Sequence, residues 1–264
     1  MTSAPIILVF DSGLGGLTVY REVAAARPDA RFVYAADDAA FPYGRLGERE
    51  LSEQVTGVMA RLIERHAPEL VVVACNTAST LVLAELRTRF SVPFVGTVPA
   101  IKPACAASQT KLVSVLGTEG TVAREYTRAL IRDFGQGCDV TLVGSKRLAV
   151  LAEAHLRGEA VDNSSIAAEL APCFVEKNGA RTDTIVLACT HYPLLLERLH
   201  ALSPWPVTFV DPAPAIARRV VDLLGPAPNG KVRGRPAYAH FTSGRSPSAP
   251  LIKALLTIGL QTAP

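Results

Sequence analysis

Two α/β domains of similar build, each with a parallel sheet and with a functional cleft between them, are what this sequence predicts. Three observations carry the expectation. Short apolar runs are continuous rather than alternating, as strands buried on both faces require. They alternate with longer stretches of helical character, the order expected of a parallel sheet with crossover helices. A weak internal repeat then matches Val71-Val72-Val73-Ala74-Cys75-Asn76-Thr77 with Ile185-Val186-Leu187-Ala188-Cys189-Thr190-His191, and the strand before Asp11-Ser12-Gly13 with the strand before Gly117-Thr118. Two such units facing each other put their strand C-terminal ends, where open sheets bind ligands, across one cleft.

The elements follow in chain order. Strand 5–10 is a run of aliphatic residues, and Gly15-Gly16 opens a helix over 16–26 that stops at Pro28. Strand 31–35 leads into a loop at 37–44 rich in Asp, Pro and Gly, after which a long helix fills 46–66 and ends before Pro68. Strand 70–74 is followed by a helix over 77–89, and Pro93 falls in the next strand, 92–95. Strand 111–116 precedes a helix over 121–134 closed by Gly135, and strand 139–143 precedes a helix over 146–157 closed by Gly158. A helix over 164–177 leads to strand 184–188, a helix over 192–202 with Pro193 in its first turn leads to strand 207–210, and a helix over 214–224 stops at Gly225. Each boundary rests on Gly, Pro or a capping residue. The Gly-, Pro- and Arg-containing stretch 226–235 reads as an exposed loop.

Composition bounds the function. The chain has 264 residues, 49% of them hydrophobic, enough for a sizeable core, and 27 Lys+Arg against 24 Asp+Glu. A net charge of +3 with no dense basic run gives no phosphate-backbone footprint, so nucleic acid is not expected as a partner. The longest apolar stretch near the start is five residues, too short for a signal peptide or a membrane span, so no membrane partner is expected and the location reads as cytoplasmic. Five scattered cysteines with no Cys-x-x-Cys argue against a disulfide framework or a four-thiolate zinc site.

The chemistry concentrates at the repeat. Each copy ends a buried strand with a cysteine and starts a helix at once, where backbone N–H groups and the helix dipole favour a thiolate. An isolated buried Cys is more often plain core; two matched copies reverse that for Cys75 and Cys189, while Cys105, Cys138 and Cys173 read as structural. The turn after the first strand admits two readings. Gly13-x-Gly15-x-x-Thr18 resembles a dinucleotide fingerprint lacking its third glycine, with Asp37 placed to hold a ribose. Asp11 stands against this, since its carboxylate repels a pyrophosphate and suits a cationic ligand group or a thiol needing a proton acceptor; it also suits a plain cap of the turn. Cys189-Thr190-His191 sets an imidazole two residues from a thiol, able to relay its proton or stabilise the thiolate. A metal site from Cys75, Cys189, His191 and Asp11 has suitable ligand types but no standard spacing, so no metal is expected. A non-catalytic module with a reversible Cys75–Cys189 disulfide remains a rival.

Four segments, Phe10 to Val19, Phe41-Pro42-Tyr43-Gly44, Ala74 to Ser79 and Ala188 to Pro193, resemble in order and spacing the signature segments of glutamate racemases, and Asp211-Pro212-Ala213 fits as well. The resemblance implies two α/β domains related by a pseudo-twofold axis with the active site in the interdomain cleft. It also implies a discontinuous first domain of 1–98 and 208–264 around a second of 99–207, no cofactor, and interconversion of L- and D-glutamate for peptidoglycan synthesis, in a homodimer. Carried over by motif, Cys75 serves the D-enantiomer with help from Asp11, and Cys189 serves the L-enantiomer with help from His191. Ser12, Pro42, Tyr43, Gly44, Asn76, Thr77, Thr118, Thr121 and Thr190 are implied as substrate contacts, with Asp37 and Glu153 as auxiliary acids. Gly117 departs from the family's more usual Ala, which bears on Thr118 and Thr121. A racemase of aspartate is the nearest rival.

Overall fold

The structure, a computed structural model, describes residues 4–228 and 237–263. The chain begins β1 (Ile6–Asp11), α1 (Leu17–Ala26), β2 (Arg31–Ala36), α2 (Glu48–His66), β3 (Leu70–Val73), α3 (Asn76–Arg89), β4 (Phe94–Gly96) and α4 (Ile101–Ala107). It continues through β5 (Leu112–Thr118), α5 (Glu119–Ala123), α6 (Glu125–Phe134), β6 (Asp139–Ser145), α7 (Leu148–Leu156) and α8 (Asn163–Leu170). After a two-residue hairpin, β7 (Glu176–Lys177) and β8 (Ala180–Arg181), come β9 (Thr184–Ala188), α9 (Leu196–Leu202), β10 (Thr208–Val210), α10 (Ala213–Leu224), β11 (Ala237–Phe241), α11 (Ala249–Thr257) and β12 (Leu260–Thr262).

All eight expected strands are present. With β11 and β12 they form two parallel sheets, ordered β12-β11-β2-β1-β3-β4 and β10-β9-β5-β6. The continuous apolar runs have the predicted cause. In β1, Ile7 and Val9 pack on one face beneath α1, α10 and α11, while Leu8 and Phe10 pack on the other beneath α2 and α3, and all four are fully buried. Each such apolar side chain contributes about 1.5–3 kcal/mol by leaving water, so positions 7 to 10 have no freedom to be polar, and the acid Asp11 comes only at the strand's end. The second sheet is covered the same way by two separate clusters.

Several expectations need correction. The helix expected over 164–177 ends at Leu170 because Pro172, with no N–H to donate, lies inside it; a short 3-10 turn and the β7–β8 hairpin follow. The helix expected over 121–134 is broken at Arg124, whose extended backbone (φ −67°, ψ 140°) separates α5 from α6. The helix expected over 192–202 begins as a 3-10 turn through Pro193. Helices α4 and α11 and strands β11 and β12 had no counterpart in the sequence reading. Of the loop expected at 226–235, residues 229–235 lie outside the described residues. Strand β10 pairs with β9 (Thr208 opposite Thr184), so hydrogen bonding puts it in the second sheet although the expected 207/208 boundary assigned it to the first unit.

Strand order decides where the chemistry is placed. From β1 the chain moves to β2 on one side and later to β3 on the other, so the crossovers diverge between β1 and β3; in the second sheet they diverge in the same way between β5 and β9. Such switch points leave a crevice at the strand C-terminal ends. Asp11 and Cys75 stand at the first, Thr118 and Cys189 at the second.

Candidate active site

At the end of β1, Asp11 is fully buried. One carboxylate oxygen accepts N–H groups from Gly16 (2.9 Å) and Gly13 (3.3 Å), closing the glycine turn, and the other has no partner. Asp11 thus caps its turn and keeps a free acceptor. Burial pushes its carboxyl above the usual range, although His191 and the Gly16 N–H pull the other way.

The glycines of that turn make room for the other unit. A side chain at Gly13 would run into the Glu153 carboxylate, and one at Gly15 into the His191 ring. The Leu14 N–H donates to Glu153 Oε1 (2.5 Å), and His191 Nε2 lies 3.0 Å from the same oxygen. The backbone donors that a dinucleotide pyrophosphate would use are therefore directed at side chains of the chain itself, Gly13 and Gly16 at Asp11, Leu14 at Glu153 and Gly15 at His191, which argues against the dinucleotide reading of the turn. Among the described residues no cluster of three or more His, Cys, Asp or Glu has the arrangement of a metal site.

Cys75 follows β3, is buried, and points its thiol at Ser12 Oγ (3.7 Å). Burial, with the Asp11 charge added, pushes this thiol far above its ordinary value. The helix start favours a thiolate as expected, through the backbone N–H of Ala78, but desolvation of this buried sulfur outweighs it. Cys189 follows β9, and its sulfur lies 3.8 Å from His191 Nδ1. Burial alone would lower the imidazole's affinity for a proton, but the Cys189 sulfur and the Glu153 carboxylate outweigh it and raise the pKa of His191 well above the ordinary value. Burial likewise works against the Glu153 charge, and is outweighed by His191, the Leu14 N–H and Arg157, so this carboxyl sits below its usual range. Glu153, His191 and Cys189 thus form a line in which Nε2 faces the carboxylate, with the Gly15 N–H also directed at it (3.2 Å), and Nδ1 faces sulfur.

Both thiols border one cavity of only about 20 Å³, room for about one water molecule. The 3-10 turn Tyr43–Arg45 and Pro42 roof it, Asn76, Thr77 and Ser12 line the first-unit side, and Thr118 and Thr190 line the other. Both polar atoms of the Asn76 amide are buried without a partner, the condition of a group placed for something that enters. The hydroxyls of Thr77, Thr118 and Thr121 lie within 2.9–3.3 Å of one another, joining the two units across the cavity.

Two expectations shift. Asp37 is not among the cavity-lining residues: its oxygens accept from Tyr43 Oη, Gln54 (2.8 Å) and Thr242 (2.7 Å). The Tyr43 hydroxyl is therefore committed to Asp37, and the residue roofs the cavity instead of offering it a donor. Three contributors were given no role from the sequence: Phe41, whose ring lies tilted against His191 with centroids 5.3 Å apart; Tyr34, whose hydroxyl donates to the Gly13 carbonyl (2.6 Å); and Thr242. Phe41 adjoins the Pro42-Tyr43-Gly44 segment and was legible by position; Thr242 had no local signal.

Residues 10–220 match the model of the Asp/Glu/hydantoin racemase family. A glutamate racemase of Mesorhizobium japonicum is 55% identical over 247 residues, 93% of this chain and 94% of that one. One from Brucella canis is 52% identical over 257 residues, 97% and 92% of the two chains. Among solved structures, Escherichia coli glutamate racemase in complex with L-glutamate and the activator UDP-MurNAc-Ala superposes with a TM-score of 0.87 at 41% identity, covering 98% of this chain and 97% of that one. A glutamate racemase isoform from Bacillus anthracis gives 0.81 at 25%, covering 100% and 98%.

Proposed function

Because the chain belongs to the Asp/Glu/hydantoin racemase family and is an amino-acid racemase, we propose that it interconverts L- and D-glutamate by passing protons between the α-carbon and two thiols, Cys75 and Cys189. The observation that carries this reading is the pair of strand-end thiols, one from each sheet's switch point, bordering a single cavity.

Inversion requires a base on one face of the α-carbon and an acid on the other. The L-to-D direction requires Cys189, with His191 beside it, as the base, and Cys75, whose thiol burial and Asp11 hold in its protonated form, as the acid. From L-glutamate, Cys189 takes the α-proton and becomes a thiol, and the carbanion takes a proton from Cys75, which is left as thiolate. The D-enantiomer reverses both transfers. Asp11, with one oxygen free and its proton affinity raised by burial, is placed to take the Cys75 proton before D-glutamate reacts and to help return one after L-glutamate has reacted, while Cys189 is reset in the opposite sense. Charge on the carbanion and the carboxylates falls to Asn76, the threonine hydroxyls and the N–H groups at the start of α3, preorganised donors that need no rearrangement during the reaction. A cavity this small excludes water, which strengthens each of these contacts.

The same proposal keeps two units but moves the boundary from 207/208 to past β10, giving 1–98 with 211–264 and 99–210, and places the enzyme in the cytoplasm as a homodimer supplying D-glutamate for peptidoglycan. It is tested by following the circular dichroism of L- or D-glutamate in deuterated water. Both enantiomers should lose optical activity and take up α-deuterium, and Cys75→Ala and Cys189→Ala should each abolish this while keeping the far-UV spectrum. A chain that racemises aspartate in preference, or alanine at a comparable rate, overturns the substrate; a single-thiol variant at the full rate overturns the two-thiol mechanism.

A further inference from the structure

Beside the thiol cavity lies a second hollow of about 230 Å³, and the two share Pro42, Gly44, Thr118 and Ala149 as a common wall. Its rim carries three cations. Arg45 comes from the 3-10 turn of the first unit, and Lys146 and Arg147 come from the β6–α7 turn of the second. All three are exposed. One carboxylate, Glu119, shares the hollow and pairs with Lys146 at 3.5 Å. Among the described residues neither Arg45 nor Arg147 is engaged in an ion pair, so the rim holds a surplus of positive charge. The inner cavity shows the opposite arrangement, with no Lys or Arg in its lining. Lysine and arginine are absent where the chemistry takes place and concentrated one wall outside it. Concave walls of low dielectric focus such a field outward and raise the local concentration of an anion.

We propose that Arg45, Lys146 and Arg147 form a capture port for the anionic substrate, holding a carboxylate in the outer hollow before it passes the Pro42–Gly44 turn and Thr118 into the thiol cavity. The proposal rests on the racemase reading for the identity of the substrate. Its cations come from both sides of the cleft, so a bound carboxylate bridges the two units at the point where they must part to admit it. Flexible, exposed side chains suit this task because they attract the substrate without fixing it in a ground-state contact that the reaction must then break.

The test is the salt dependence of kcat/KM for glutamate in both directions, in the unaltered enzyme and in a variant carrying Arg45→Gln, Lys146→Gln and Arg147→Gln. At low ionic strength the variant should lose about tenfold in kcat/KM, equally for L- and D-glutamate because capture precedes the choice of face, with kcat kept. Added salt should erode the advantage of the unaltered enzyme and leave the variant nearly flat. Lys253→Gln, on α11, removes a charge elsewhere and should change neither. A variant with the original salt slope, a parallel fall in kcat, or a loss in one direction only overturns the port. A second readout is independent of turnover. Alkylation of Cys189 by anionic iodoacetate, relative to neutral iodoacetamide, should slow in the triple variant and with salt. If the unaltered enzyme does not turn over glutamate but this ratio still falls, the substrate assignment fails and the port stands; an unchanged ratio removes the port whatever the substrate.

Discussion

At the scale of single residues the site turns on one oxygen. Glu153 Oε1 accepts from the Leu14 N–H and from His191, so it fixes which imidazole nitrogen faces Cys189. The proton on His191 contributes stability that is fully present below the ordinary histidine value of 6.5 and is lost as pH rises through the elevated folded value. Glu153 does the reverse: its contribution is present above the ordinary 4.5 and is lost as pH falls through the lowered folded value. Glu153→Gln keeps an acceptor for both donors but removes the charge, so it should cost about 1–3 kcal/mol of stability and lower the pKa of His191. The alkaline limb of the L-to-D reaction should move to lower pH while that of the D-to-L reaction moves less, a difference that initial-rate pH profiles in the two directions measure. Coincident shifts would mean that Glu153 acts only through the fold. The thiols and His191 were legible because the repeat puts them at strand ends. The setting of Asp37 was not legible, because two of its partners, Gln54 and Thr242, lie 17 and 205 residues away, beyond any local pattern.

At the scale of elements, the glycine turn after β1 matters as a surface. Gly15 has no positive φ to require glycine; what it requires is the absence of a Cβ, because His191 packs against it. Gly15→Ala must displace the ring that orients Cys189, and a misplacement near 1 Å costs about 100-fold in rate. We expect a loss of that order in racemisation with the far-UV spectrum kept, and a variant of normal activity would show that the ring does not need this support. The elements themselves were legible to unequal degrees. Strands such as β3 and β9 declare themselves because they are buried on both faces. Strand β11, Ala237–Phe241, has a half-buried, mixed sequence and is a strand because the open edge of β2 offers it partners (His240 opposite Ala35), a tertiary cause that no window of sequence contains. Helix α11 had a readable start, Ser248 with its hydroxyl accepting from the Leu251 N–H and Pro250 in the first turn, and could have been found.

At the scale of the whole molecule, contacts around the reaction cleft join the two units, beside others such as Ser248 to the Arg157 carbonyl: Leu14 to Glu153, Thr18 to the Thr190 carbonyl, and Thr77 to Thr118 and Thr121. A cavity of about 20 Å³ cannot admit an amino acid, so turnover requires these contacts to part and re-form. The rim offers a direct way to prevent it. A Cβ placed at Gly44 would lie 3.3 Å from the Thr118 Cβ, close to the roughly 3.5–4.5 Å span of a disulfide, and Gly44 has no positive φ to oppose a side chain. In the variant Gly44→Cys with Thr118→Cys, oxidation should therefore staple the first unit's roof to the second unit's strand end. Turnover should vanish when the disulfide is formed, as quantified by thiol titration, and return on reduction to the level of Thr118→Cys alone, which separates the staple from the lost hydroxyl. Activity that survives complete oxidation would mean that substrate enters without opening this rim, and the entry path would then have to lie on another side of the cleft.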